Sequence, residues 1–261
     1  MKLHSFIALA GGFLGVGASM PVMFVTQMSW ISLGIVIGVG VVGYIFAAVS
    51  AARSPKFAEV CRGFLIGFNS GINGFLIFSI LSAFLPLGVG VSAGMALGAL
   101  NFLCVLEWLT QSSFYQGVMG WVNWVLPMSW PIVGVGILFF LFSLLLSCLT
   151  GFQVRYLRLQ GGKVDWPTGT FFIKGGLVAN LNVWDTAFNM GNFSFVDMNS
   201  RNFHVKHEAG HSLNLGAFGW VFHLIGFLEE FVFQRGAKAY SERIAESHDT
   251  GRQGSNIPMW A

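Results

Sequence analysis

Two long stretches of this 261-residue chain hold no Asp, Glu, Lys or Arg: Gly63 to Leu106, and Trp108 to Gln153. A helix in water needs charge on its outer face, so runs of this length call for apolar surroundings on every side. Charged residues make up 10% of the chain, against about 25% in an ordinary soluble domain, and mean hydropathy is +0.68. Most of the charge lies after Val154. The sequence therefore divides into a membrane region, 1–153, and a more polar region, 154–261. A net charge of +3, with no Lys/Arg run or basic–aromatic stripe, excludes nucleic acid as a partner. Cys61, Cys104 and Cys148 show no CxxC spacing, which argues against disulfides and a cysteine metal site.

A membrane span needs about 20 mostly apolar residues. Residues 5–27 and 31–51 qualify, with Ser29 and Trp30 turning between them. Lys2, an apolar centre and Val16-Gly17-Ala18 imitate a signal peptide. The apolar run continues past that point, so the segment is expected to stay as the first transmembrane helix. Arg53, Lys56 and Arg62 oppose one Glu59 in the following loop, which assigns that loop to the cytoplasm. Residues 64–110 read either as two spans around Pro86-Leu87-Gly88 or as one span near 74–106, since Asn69, Gly71 and Asn73 weaken the first part. Residues 111–130 carry Phe114, Tyr115, Trp121, Trp124 and Trp130, an interfacial composition. Residues 131–151 form a clear span, followed by Arg155 and Arg158. Placing both basic segments on one face favours the single span, and about four crossings in all.

The polar region reads as α+β. Strands are expected at Thr170–Lys174, continuing through Leu177–Val183 past a glycine pair, and at Phe193–Val196. Turns are expected at Gly161-Gly162-Lys163 and Trp166–Gly169, and helices at Lys206–Leu215, Trp220–Arg235 and Ala237–Ser247. The expected fold is a membrane all-α helical bundle followed by a small α+β domain at the cytoplasmic face, in a setting such as a bacterial inner membrane.

The chemistry concentrates in His207-Glu208-Ala209-Gly210-His211. On a helix, residues four apart share a face about 6 Å apart, so His207 and His211 present two imidazoles to one metal ion. Glu208 beside them serves as general base toward the attacking water. Catalytic zinc takes a third protein ligand and keeps one position open. Glu230 follows after eighteen intervening residues. In one straight helix it would lie about 28 Å from His211, out of reach. Gly216-Ala217-Phe218-Gly219 offers a break, and an antiparallel return from Trp220 brings Glu229 and Glu230 alongside the histidines. Glu230 is the expected ligand and Glu229 the close alternative.

This spacing resembles that of the gluzincins, zinc peptidases in which HExxH is followed by a more distant glutamate ligand. The resemblance implies a zincin-like domain, a Zn²⁺ cofactor and hydrolysis of peptide bonds near the membrane surface. Gluzincins commonly place a further acidic residue one turn after the ligand, whereas this chain has Gln234 four residues after Glu230. ATP-dependent membrane proteases share the HEAGH pattern but need a Walker A loop, and site-2 proteases need a later LDG motif; neither is present. His204 is placed as second shell or spare ligand, His223 as a core or interface residue far from His211, His248 as solvated, and Asn214 as a residue that caps or orients the site. An edge strand at Phe193–Val196 or Thr170–Lys174 would bind substrate backbone. Expected partners are the lipid bilayer, a protein or peptide substrate and neighbouring membrane proteins. The rival reading is a non-catalytic subunit of a membrane complex with a structural or vestigial metal site. A transporter or channel is disfavoured because the spans lack internal charge.

Overall fold

The computed structural model describes residues 3–26, 29–181, 187–197, 205–233 and 235–247. The order of elements is α1 (Leu3–Thr26), α2 (Trp30–Arg53), α3 (Pro55–Ser82), α4 (Leu87–Phe102), a short α5 (Glu107–Thr110), α6 (Ser113–Val122), α7 (Trp130–Leu149), β1 (Leu159–Asp165), β2 (Thr170–Gly175), α8 (Gly176–Leu181), β3 (Ala187–Met190), β4 (Phe193–Val196), α9 (Val205–Phe227) and α10 (Tyr240–Ser247). Six helical stretches are long and apolar enough to cross a membrane: 5–26, 30–53, 55–82, 87–105, 127–149 and 205–232. Their outer faces are largely apolar; Phe13, Leu14, Phe24, Val42, Phe46, Leu138 and Leu141 are all exposed. An apolar surface of that extent suits acyl chains rather than water.

Residues 64–110 hold two long helices, the end of α3 and all of α4, followed by the short α5, which matches the two-helix alternative rather than the favoured single one. The turn falls at residues 83–86, where Pro86 cannot continue α3. The supposed cytoplasmic loop at 52–62 is also mostly helix. Arg62 lies wholly buried in α3, paired with Glu59 at 2.8 Å and donating to the carbonyl of Val105 at 2.9 Å. Burying this pair is tolerable because all three guanidinium nitrogens find acceptors, in Glu59 and the carbonyls of Cys104 and Val105. Arg53 and Lys56 are left as that segment's exposed cations. α3 is the central post. Gly63 and Gly67 let α1 pack against it with backbone nearly touching backbone, at Ala8 and Gly12.

The sheet has the order β1-β2-β4-β3, with β2 and β4 parallel and the outer pairs antiparallel. Gly161 to Lys163 do not turn; they belong to β1, which bulges between Leu159 and Gly161. The expected strand continuation at 177–183 is instead helix α8 as far as Leu181, because Gly175 and Gly176 both take positive φ and turn the chain out of the ladder. Phe193 stacks on Phe140 and Phe195 meets Phe139, which fixes the sheet to α7. The core does not divide at residue 153. One buried cluster joins Tyr44, Ala47, Leu65 and Ile66, before residue 153, to Leu213, Phe218, Phe222 and Ile244, after it.

α9 is broken at Gly219, whose φ of 80° and ψ of 177° belong to glycine alone. Residues after the break line the same pocket as residues before it: His223, Phe227 and Glu230 face His207 and His211. α9 is thus a helical hairpin. The carbonyls released at its tip are met by buried amides. Asn69 Nδ2 donates to the oxygens of Gly216 and Ala217, both at 3.0 Å, and Asn101 Nδ2 donates to Gly216 at 2.9 Å. Asn73 donates to Asn101 Oδ1 at 2.8 Å and accepts the amide of Met128 at 2.9 Å. A Cβ on Gly219 would stand 2.6 Å from Asn69 Oδ1 as well as forcing a glycine-only conformation. Gly219→Ala is expected to cost about 1–3 kcal/mol, read as a lowered thermal midpoint in detergent.

Candidate metal centre

The first arm of α9 carries His207 and His211 one turn apart, and their rings lie 4.8 Å apart, centre to centre. The hairpin and α10 close around them. Glu242 comes from α10: its Oε2 lies 3.1 Å from His207 Nε2 and its Oε1 3.3 Å from His211 Nε2. The two Nε2 atoms are 3.2 Å apart. A tetrahedral ion with ligands about 2.0–2.1 Å away has ligand–ligand edges of about 3.3 Å. The separation of the two Nε2 atoms matches that edge, and each imidazole lies at about the same distance from one of the two Glu242 oxygens. Among the described residues, His207, His211 and Glu242 form a group that could hold a metal ion, their ligand atoms all within 4.8 Å of one another.

The surroundings orient this triangle. Glu246, one turn after Glu242, lies 2.9 Å from His207 Nδ1. A proton shared there leaves the Nε2 lone pair free to face the centre. Asn214 Nδ2 donates at 3.1 Å to the carbonyl of Ser241, beside Glu242, so it ties the first arm of α9 to the start of α10. Gly210 packs against the backbone of Ala245, a contact that leaves no space for a Cβ. Burial alone would raise the Glu242 carboxyl, but the charge of His211 and the hydrogen bonds from His207 and His211 hold it well below the usual carboxylate range.

Glu208 is buried beside the two histidines. Its carboxylate accepts the Ser194 hydroxyl at 3.2 Å, and its carbonyl accepts Asn189 Nδ2 at 2.9 Å. β3 and β4 therefore hold the motif helix from behind. β3 is the outer strand beside the pocket, which Ala187, Phe188 and Asn189 help to line. The expected edge roles of 193–196 and 170–174 do not hold, since β2 and β4 are the two inner strands.

The hairpin expected from the glycines is present, and the carboxylate grouped with the two histidines is Glu242, which the sequence reading did not name. Glu230, the expected ligand, lines the same pocket. The helix opens into a π turn over Leu228–Val232, which changes where its acidic pair points. Glu229 faces the other way: its Oε2 accepts the Tyr44 hydroxyl at 2.5 Å and the amide of Tyr240 at 2.9 Å, capping α10. His223, expected far from His211, lies beside it, with ring centres 6.4 Å apart, because the return arm passes directly opposite. His204 and His248 lie outside the described residues. Glu242 and Glu246 escaped notice, although two acids four apart on a helix with Tyr240, Ile244 and Ala245 buried beneath were the available signal. They also provide the further acid one turn on that Gln234 did not.

No protein-family model, curated protein or solved structure matches this chain.

Two outcomes test the centre. In equilibrium metal titrations, Glu242→Gln should weaken affinity by more than about 100-fold and Glu246→Gln by about 10–100-fold, as for outer-sphere partners elsewhere, with Glu230→Gln weaker in effect than either. A carboxyl depressed in the folded state stabilises that state above its ordinary value of 4.5 and loses the contribution as pH falls. The thermal midpoint of metal-free protein should therefore fall progressively as pH drops below about 5, and Glu242→Gln should flatten that profile.

Proposed function

We propose that this protein is an integral membrane zinc metallopeptidase. The observation that carries the reading is the donor triangle of His207, His211 and Glu242, with Glu208 next to it on the motif helix. Two imidazoles and one carboxylate leave a fourth tetrahedral position open, the arrangement of catalytic rather than structural zinc sites. Zn²⁺ bound there supplies Lewis acidity for polarising a carbonyl and acidifying water.

The chain's own residues supply the rest. Glu208 takes the proton of the attacking water at its carboxylate and returns it to the leaving amine. The Ser194 hydroxyl holds one oxygen of that carboxylate, which fixes its rotamer. Glu246 keeps His207 in one tautomer, and Asn214 and Gly210 keep α10 against the histidines. The apolar surfaces of the long helices support membrane insertion, and Arg53, Lys56, Arg155 and Arg158 support a cytoplasmic setting for the faces that bear them.

In purified protein, Glu208→Gln should retain one zinc per chain while losing at least about 100-fold in peptide hydrolysis, the scale of a general base. Zinc below stoichiometry in the wild type would reject the metal reading. Full zinc with activity unchanged in Glu208→Gln would reject the catalytic one in favour of a structural site in a membrane complex.

A further inference from the structure

The contacts along α3 act as a depth gauge, one residue for about 1.5 Å. The turn just after α4 sits at Arg62, which holds the carbonyls of Cys104 and Val105. The turn just before α7 sits deeper, at Asn73, which holds the amide of Met128. The chain therefore descends between residues 105 and 128. α7 then turns back. Val133 packs on Leu215, and Leu215 lies between Leu213, beside Arg62 and Ile66, and Gly216, held by Asn69. By Val133 the helix has risen again toward the Pro55 end of α3. Its remaining 16 residues add about 24 Å in that direction, while Pro55 is only about 16 Å from Ile66 on the same scale. Arg155 and Arg158 thus emerge on the face that carries Arg53 and Lys56.

α9 follows the same rule. Its arms, 205–218 and 220–232, are each about 20 Å long, short of the roughly 30 Å hydrocarbon core. Both leave their tip at Asn69 in the same direction. The centre itself lies below the surface. Ser241, next to Glu242, donates its amide to Tyr44 at 3.2 Å, and Tyr44 is about 13 Å down α2 from Arg53. The return arm presents Leu224, Leu228 and Val232 outward, all exposed, and His223, Phe227 and Glu230 inward to the pocket.

We propose that 205–232 is a re-entrant hairpin and not a span, that it carries the metal pocket into the membrane leaflet on the basic face, and that the pocket takes polypeptide segments seated in that leaflet. The substrate class rests on the peptidase reading above; the embedding does not.

Three measurements test it on full-length protein in vesicles, with Cys61, Cys104 and Cys148 first replaced by alanine. An impermeant maleimide should label Lys56→Cys and Tyr156→Cys from one face and Leu85→Cys from the other. A spin label on Leu228→Cys should collide with oxygen in preference to a water-soluble nickel chelate. Labelling of Lys56→Cys and Tyr156→Cys from opposite faces, or a chelate-accessible Leu228→Cys, would overturn the embedding. Zinc-loaded protein should cleave a peptide fused to a transmembrane anchor at least about tenfold faster than the same peptide free, because anchoring raises its local concentration. Equal rates would overturn the substrate class. Cleavage of neither would reject the peptidase reading, while labelling and collision decide the embedding by themselves.

Discussion

The hydrogen bonds from Asn69 and Asn101 to the carbonyls of Gly216 and Ala217 are the contact on which the rest depends. A helix broken among apolar groups leaves its last carbonyls without partners, and each unpaired buried group costs on the order of 1–3 kcal/mol. Amides delivered from α3 and α4 remove that cost. Only then can α9 reverse at Gly219, and only the reversal sets His223, Phe227 and Glu230 across from His207 and His211. Buried asparagines in otherwise apolar helices are thus structural partners of a distant backbone.

A second clasp sets the third donor. Tyr44, Glu229 and the amides of Tyr240 and Ser241 form one hydrogen-bonded group that joins α2, the return arm and the start of α10. Tyr44 also packs edge-on against Phe222 and Tyr240. α10 is only eight residues long and would not hold a helix alone. Its capped first turn and its buried face fix Glu242 and Glu246 against the histidines. The centre is therefore assembled from pieces far apart in sequence.

The legibility of the chain follows from the range of each interaction. The pair His207 and His211 is legible because a helix sets its geometry locally, and Gly216 to Gly219 announce a break because glycine alone tolerates the backbone found there. The strands at 170–175 and 193–196 show in their β-branched and aromatic residues. Glu242 was not legible because helical rise alone omits both the π turn over Leu228–Val232, which directs Glu229 to Tyr44, and the docking of α10 beside the histidines. Asn69 and Asn73 misled in the opposite sense: as polar residues they weakened the expectation of a long helix there, yet α3 runs through both and buries them against long-range partners.

By itself, the sequence determined the apolar helices, the motif helix with its two imidazoles and neighbouring carboxylate, and the site of its break. Each is encoded within a few turns of chain, where residue type and spacing suffice. Tertiary structure alone decided which acid joins the histidines, how Glu229 is used, and that residues on both sides of 153 share one core. Those outcomes depend on where separate helices meet, and the meeting is set by complementary packing and by buried polar groups finding partners more than a hundred residues away.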